Sequence, residues 1–370
     1  MSIASTPIVN QLEGLDQELE TILASFDTSY AWNYGSVKEG LRDLYEKAKR
    51  DQWNGTTQLA WDTDVDPERG IIPEMINPLH GYAPYDRLNQ KEKDKLRHAQ
   101  VALQLSQFLH GEQGALIVAS QLVGAVPWVD AKYYAGTQTM DEARHVEVFA
   151  RYIEKLDEIR PIAPSLKGIL DTTLETGDWM KKLVGMQIVV EGLALYAFRE
   201  MRNLTQEPLL KDLLTYVARD ESRHHAYGVQ YIERCVPCLD GAARAELEDF
   251  AVECARSLID RNAQGFFTTL LGIWQEVGVD PVAMLTSLHD ERDEITRDLP
   301  RGRRLGPVQG FVIPTLRRCG LLSERVATHY HGFLRDNFGA RIAGENVQEF
   351  LQLLPDLPTD TALWVMGELQ

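Results

Sequence analysis

Cysteine is scarce in this chain, with four among 370 residues, too few for a disulfide framework at this size. Cys235 and Cys238 have Cys-x-x-Cys spacing, but no second Cys or His pair lies nearby in the sequence to complete a zinc site. We therefore interpret them as small thiols at a helix end. The sequence also has no Gly-rich nucleotide loop and no flavin signature, so it gives no indication of a bound nucleotide or flavin.

Long apolar runs and an excess of positive charge are missing as well. No stretch holds about 18 uncharged apolar residues, and the N-terminal residues lack the apolar core of a signal peptide, which predicts a cytoplasmic protein without a membrane partner. The formal charge of −17 argues against nucleic acid as a general partner. Small molecules and other proteins are the partners that this composition favours.

Strand-like alternation is not evident in the central region, whereas helical periodicity is strong. Apolar residues recur at helical spacing over four long segments, which we place at about 89–124, 129–157, 178–201 and 208–234. Such helices must bury their apolar faces on one another, so the predicted fold is all-α, a four-helix bundle with additional N- and C-terminal helices.

The flanking regions are predicted to pack on this bundle. Residues 1–88 form an N-terminal arm, a helix from Ser36 to Arg50 with Ser36 as N-cap, and a long loop rich in Pro, Gly and Asp. The bundle covers residues 89–235. Residues 236–370 form a C-terminal helical extension of the same domain, with a further long helix over about 242–275, and serve as packing, a lid or an oligomer contact.

One pentapeptide occurs twice in almost the same form. DEARH spans Asp141–His145 and DESRH spans Asp220–His224. Each contains Glu-x-x-His, which places a carboxylate and an imidazole on one face of a helix, where both can reach one metal ion. A lone histidine is usually an ordinary helix residue, but two such repeats are hard to attribute to chance.

Two further glutamates complete a ligand set. Glu191 lies inside an apolar run, where an unpaired carboxylate would be costly, and the interval from Glu112 to Glu142 equals that from Glu191 to Glu221. Four carboxylates and two imidazoles are the ligands of two-metal helical bundles and suit iron or manganese. The predicted metal ligands are Glu112, Glu142, His145, Glu191, Glu221 and His224.

Neighbouring residues in the two repeats are predicted to orient the ligand histidines. Asp141 and Asp220 can accept the free ring N–H of a ligand histidine, and we expect each to serve the histidine of the opposite half. Arg144 and Arg223 would hold these aspartates by charge-assisted hydrogen bonds. The alternative, ordinary salt bridges on a helix surface, fits less well because both copies stand in the same place relative to the ligands.

These motifs resemble the ferritin-like di-iron carboxylate superfamily, and DEARH and DESRH look most like its oxygen-activating branch. That branch includes multicomponent monooxygenases, acyl-carrier-protein desaturases, p-aminobenzoate N-oxygenases and ribonucleotide reductase small subunits. The resemblance implies two iron ions, or a manganese and iron pair, with dioxygen as co-substrate. It covers residues 89–234, and the segment QWNGTTQLAW ahead of them is similar to a Trp-containing segment of several such oxidases.

The sequence departs from each relative at particular positions. Phe149 stands where the reductase subunits typically have a radical tyrosine, which argues against a stored tyrosyl radical. Val217 stands where p-aminobenzoate N-oxygenases have a third ligand histidine, which argues against arylamine N-oxygenation by the same ligand set. Ala194 and Leu195 replace the threonines of desaturases and monooxygenases respectively.

We therefore predict a di-iron oxygenase that inserts oxygen into a small, mostly apolar organic substrate by C-hydroxylation or N-oxygenation. A pocket wall formed by apolar residues would keep water from the oxidant. A desaturase, or a ferroxidase and iron-storage protein, are the alternatives. The predicted partners are an external electron donor, either a reductase or a ferredoxin, and a second copy in a homodimer. The predicted pocket residues are Phe149, Val190, Leu193, Ala194 and Leu195.

Overall fold

Every regular element in the described part of the chain is a helix, which confirms the predicted all-α fold. The structure is a computed structural model, and it describes residues 20–35, 37–65, 71–74, 77, 79–259, 264–290 and 306–357. No helix within these ranges is long and apolar enough to span a membrane.

In the described residues ahead of the bundle there are three helices: α1 (Glu39–Arg50), α2 (Gly55–Gln58) and α3 (Ala83–Asp86). The predicted N-cap Ser36 lies outside the described residues, and α1 begins at Glu39 instead, with Lys38 in the N-cap position. The backbone N–H of Lys38 donates to the Asp130 side chain at 2.6 Å. The start of α1 is thus fixed by a contact with the bundle.

The bundle consists of α4 (Gln90–Ala125), α5 (Val129–Leu156), a third long helix and α9 (Pro208–Cys235). A capping box between Asn89 and Glu92 explains the start of α4, because the two side chains satisfy each other's backbone N–H groups. Pro208 at the first position of α9 follows Glu207, whose side chain caps the helix. The predicted boundaries of α4, α5 and α9 differ from the observed ones by at most one residue, whereas the third long helix ends at Leu204, three residues after its predicted end.

The third long helix is not uniform. After α6 (Pro164–Glu175), α7 (Trp179–Leu183) starts at the predicted cap Asp178 and passes into a π-helical segment, Val184–Val190, before α8 (Glu191–Leu204). All seven residues of the π segment are buried. A π turn contains one residue more than an α turn and is common at functional sites. Here it ends immediately before the predicted ligand Glu191.

The C-terminal extension is helical and packs on the bundle. The single helix predicted over 242–275 corresponds to two, α10 (Gly241–Ile259) and α11 (Gln264–Glu276), and the residues between them lie outside the described ranges. The helices that follow are α12 (Pro281–Asp290), a π segment (Val308–Val312) leading into α13 (Ile313–Arg318), α14 (Glu324–Phe338), α15 (Ala340–Ala343) and α16 (Val347–Leu353).

Close packing against the first π segment depends on Gly228 of α9. A Cβ added at this position would collide with the Gln187 side chain. We expect Gly228→Ala to lower the free energy of unfolding by about 1–3 kcal/mol, the usual cost of overpacking. The exposed Gly136 of α5 is the control, because a Cβ there meets no atom within 4 Å. Gly136→Ala should raise the free energy of unfolding by about 1 kcal/mol through helix propensity.

Urea denaturation of both variants in the same metal state measures this difference. Equal stability changes in the two variants would contradict a close contact between α9 and the π segment.

Candidate metal centre

The six predicted ligands meet in the middle of the bundle. Glu112 comes from α4, Glu191 from the first residue of α8, and the two Glu-x-x-His pairs from α5 and α9. Each of the six residues is at most 5% exposed. The six residues are far apart in the sequence. Antiparallel packing of α4 with α5 and of α8 with α9 brings them to the same height along the bundle axis.

These side chains form two overlapping groups that could each hold an ion. Glu112 and His145 belong to one group, Glu191 and His224 belong to the other, and Glu142 and Glu221 belong to both. The possible ligand atoms within each group lie within 4.8 Å of one another. Glu142 and Glu221 could therefore contribute to both groups, with one further glutamate and one histidine in each.

Both imidazoles are oriented in the same way. The Nδ1 atom of His145 lies 2.8 Å from Glu221 Oε1, and that of His224 lies 3.0 Å from Glu142 Oε1. The opposite ring nitrogen, Nε2, faces an aspartate of the other repeat: His145 to Asp220 at 3.1 Å and His224 to Asp141 at 3.4 Å. With Nε2 protonated and bonded to carboxylate, each Nδ1 is free to bind a metal.

The aspartates are held by a network that includes residues outside the repeats. Arg144 donates to Asp141 and, at 3.0 Å, to Asp220, and Arg223 donates to Asp220. Trp53 Nε1 also donates to Asp220, at 2.7 Å. Each Arg therefore contacts the aspartate of its own repeat, and Arg144 joins the two halves.

Gln52 and Trp53 precede α2 and were not predicted as site residues. Gln52 donates to Asp141 at 2.9 Å and accepts from Arg144 at 2.9 Å, while the Arg144 guanidinium lies 4.7 Å from the Trp53 ring centre. The Trp-containing segment QWNGTTQLAW was noticed in the sequence only as a resemblance. Its distance from the repeats along the chain gave no indication of this contact.

The charge of the centre fits two divalent ions. Six buried carboxylates face two guanidinium groups, which leaves four negative charges when the imidazoles are neutral. Burial and the neighbouring Glu221 carboxylate raise the pKa of Glu112 and of Glu191 well above the ordinary value. Two divalent cations would supply four positive charges and make this concentration of carboxylates favourable.

Unpaired oxygen atoms support the same conclusion. Glu142 Oε2 and Glu221 Oε1 are buried, and His145 Nδ1, which lies 3.4 and 2.8 Å from them respectively, donates to neither when its ring proton is on Nε2. Both belong to the glutamates shared by the two groups. A buried carboxylate oxygen without a partner is costly, and a bridging bond to metal would satisfy it. The donor set, four carboxylates and two imidazoles, is hard to borderline and suits iron or manganese.

Gln138 is another buried contact that sequence reasoning did not identify. Its Nε2 donates to Glu142 Oε1 at 2.9 Å and to Glu191 Oε1 at 3.2 Å, and the side chain is fully buried. It stands one helical turn before Glu142, which is the only sequence signal for its position. In the second repeat the corresponding residue is Val217, which is buried among apolar side chains.

A cavity of about 640 Å³ adjoins the centre on the side of α4 and α8. Glu112 and Glu191 form part of its wall, and so do the predicted pocket residues Val190, Leu193 and Ala194. Most of the wall is apolar. Its polar members are glutamines 104, 107 and 309 and Ser165, beside the two glutamates.

Two of the predicted pocket residues do not line this cavity. Phe149 and Leu195 are fully buried in a core cluster, because helix rotation directs both away from the open side. The Phe149 ring packs behind Phe108, with ring centres 6.0 Å apart, and Phe108 itself lines the cavity. Spacing along one helix did not reveal this, because packing between helices decides which face is open.

The C-terminal extension supplies much of the outer wall, a contribution that the sequence did not assign. Leu258 comes from α10, Val308 and Gln309 from the second π segment, and Leu334 and Phe338 from α14. The cavity therefore exists because helices after the bundle cover the face of α4 and α8. This gives the extension a role in forming the site.

Fold and centre together define a helical-bundle protein with a dinuclear metal site. Within that class, residues 36–277 match the family model described as P-aminobenzoate N-oxygenase AurF, about two thirds of the chain. The chain therefore belongs to this family and is an oxygen-dependent di-iron oxidoreductase. Val217 had argued against arylamine N-oxygenation by the same ligand set, and the family match over the whole bundle leaves that point a prediction.

Solved structures similar to this chain are R2-like ligand-binding oxidases. A Mn/Fe-containing variant is 18% identical over 76% of this chain and 93% of its own, with a TM-score of 0.45. The oxidase from Sulfolobus acidocaldarius is 20% identical over 71% and 92%, with a TM-score of 0.41. TM-scores below 0.5 do not support a family assignment, which therefore rests on the family model. No curated protein sequence matches the chain.

The Asp–His pairs generate a test of the centre. Asp220→Asn removes the charge that orients His145 while keeping the size of the side chain, and we expect metal affinity to fall by about 10–100-fold. Asp141→Asn should act similarly through His224. Asp130→Asn is the control, because Asp130 is equally buried but is bound to Arg42 and Lys38, away from the centre. Competition with a chelator measures the affinities, and an equal loss in all three variants would contradict the assignment.

Proposed function

We propose that this protein inserts one oxygen atom of dioxygen into a small, mostly apolar organic substrate. N-oxygenation of an amine is the form that the family supports, and C-hydroxylation is the second form that the same site could perform. The observation that carries the proposal is the apolar cavity whose wall includes Glu112 and Glu191. A substrate in this cavity would lie directly against two members of the ligand set.

The proposed metal ligands are the six residues predicted from the sequence. Glu142 and Glu221 would bridge, Glu112 and His145 would hold one ion, and Glu191 and His224 would hold the other. Bound iron supplies the capacity to reduce dioxygen. Asp220 and Asp141 keep the imidazoles in the tautomer that presents Nδ1 to the metal, with Arg144 and Arg223 holding them in place.

Apolar residues of the cavity have a second role. Val190, Leu193 and Ala194 lie next to the ligand Glu191, and Phe108 lies one turn from Glu112. Their side chains exclude water from the side of the centre where oxygen reacts, which limits unproductive loss of the oxidant. They also provide the contact area that holds an apolar substrate in place.

The reaction requires electrons from outside the chain. Conversion of a primary amine to a hydroxylamine places one oxygen atom in the substrate and the other in water, and it consumes two electrons and two protons per dioxygen. We therefore include a reductase or a ferredoxin as electron donor in the proposal. The homodimer and the cytoplasmic location stay predictions.

Isotope labelling tests the proposed function. Protein loaded anaerobically with two ferrous equivalents is reduced, supplied with a panel of arylamines and exposed to ¹⁸O₂. We expect one ¹⁸O atom in the product by mass spectrometry. Glu142→Ala and His224→Ala should lose iron and product, whereas Glu248→Ala, which removes a buried glutamate outside the centre, should retain both.

Other results would identify another activity. Uptake of hundreds of irons without product would indicate storage, and a product that lacks two hydrogens without added oxygen would indicate a desaturase. Full iron content in Glu142→Ala and His224→Ala would refute the proposed ligand set itself.

A further inference from the structure

Gly111 lies in the interior of α4, next to the ligand Glu112, and has no packing reason to be glycine. A glycine inside a helix lowers stability relative to alanine. Neighbouring glycines are explained by close contacts: a Cβ at Gly114 would lie 2.6 Å from Leu170, and one at Gly192 would lie 3.3 Å from Phe311. Among the described residues, a Cβ at Gly111 would meet no atom within 4 Å.

Gly111 also belongs to the cavity wall. The missing side chain therefore leaves space beside Glu112 that no described residue fills. Any side chain larger than that of glycine at position 111 would reduce the part of the cavity that adjoins the metal centre. The simplest physical reason for glycine here is that a bound molecule occupies the space.

Gln309 adds a polar requirement at the same cavity. Its side chain lines the cavity and is only 1% exposed. The amide Nε2 donates to the Ile342 carbonyl at 2.8 Å, which fixes the identity of the two amide atoms. The remaining atom, Oε1, has no hydrogen-bond partner among the described residues. A buried acceptor without a partner is costly, so a donor from a ligand would stabilise the site.

Gln107, in the same cavity wall, has no such unpaired atom. Gln107 lines the cavity too, but its Nε2 donates to Pro161 at 3.0 Å and its Oε1 accepts from the Ala163 backbone at 2.6 Å. Its amide is occupied in holding the α5–α6 connection to α4. Of these two glutamines, only Gln309 has an acceptor left for a substrate.

We infer that the substrate is a ring-sized organic molecule with a hydrogen-bond donor, seated over Gly111 and donating to Gln309 Oε1. The inference rests on the proposed function for the reaction, and adds the class of substrate and the two residues that select it. Gly111 sets the size that fits beside the centre. Gln309 distinguishes a molecule with an N–H or O–H group from one without.

Equilibrium binding tests the size requirement without turnover. Indole is titrated by calorimetry into protein loaded anaerobically with two ferrous equivalents. We expect Gly111→Leu to weaken indole binding at least tenfold, while its melting temperature and iron content stay at or above the wild-type values. Gly136→Leu adds the same side chain at an exposed glycine with open surroundings and should leave indole affinity unchanged.

Unchanged indole affinity in folded, iron-loaded Gly111→Leu would overturn the inference. So would the absence of measurable indole binding to the wild-type protein.

Matched pairs of ligands test the polar requirement. Indole has an N–H donor that 1-methylindole lacks, and phenol has an O–H donor that anisole lacks. We expect the wild-type protein to bind indole and phenol about tenfold more tightly than their methylated counterparts. Gln309→Met should bind both members of each pair with about equal affinity. Gln107→Met removes a glutamine from the same wall and should lower the melting temperature while keeping the preference.

A preference that survives in Gln309→Met, or that is absent in the wild-type protein, would overturn the role of Gln309. These affinities are measured without dioxygen, so the result of the binding test does not depend on the result of the oxygenation test. A protein that binds indole with the expected preference but forms no ¹⁸O product would refute the proposed function alone.

Discussion

The structure depends on one electrostatic constraint: four glutamates share a buried space in the centre of a helical bundle. Charges so close together inside a protein repel strongly unless cations or protons compensate them. The compensation that the donor set favours is a pair of divalent ions. The bundle helices bring the possible ligand atoms of each group within 4.8 Å of one another, and the aspartate network holds the two histidines beside them.

The centre has two different sides. Toward α5 and α9, the aspartates and arginines form a closed network that Gln52 and Trp53 complete from the N-terminal segment. Toward α4 and α8, apolar side chains and Gly111 leave a cavity. One side therefore fixes the orientation of the histidines, while the other leaves open space. This division follows from the positions of the ligands, because α5 and α9 carry the histidines, whereas α4 and α8 each carry only a glutamate.

Much of this could be predicted from the sequence, for identifiable physical reasons. Helices without an internal proline show their period directly, and the repeated Glu-x-x-His marks positions that one helix face must share. The same reasoning could not find the π segment before Glu191, because a single inserted residue leaves no distinct pattern. Nor could it find Trp53 or Gln309, whose contacts with the centre and cavity depend on tertiary packing.

The two halves of the centre are related but not equivalent, and their differences concern the environment more than the ligands. One turn before the shared glutamates, the first half has Gln138, which donates to Glu142 and Glu191, whereas the second half has Val217. One turn after the histidines, Phe149 fills the core in the first half, and Gly228 admits Gln187 in the second. The repeated motif fixes where the metals can bind, and the unequal neighbours give the two ions different surroundings. A symmetric bundle can in this way hold an asymmetric site, with its cavity on one side only.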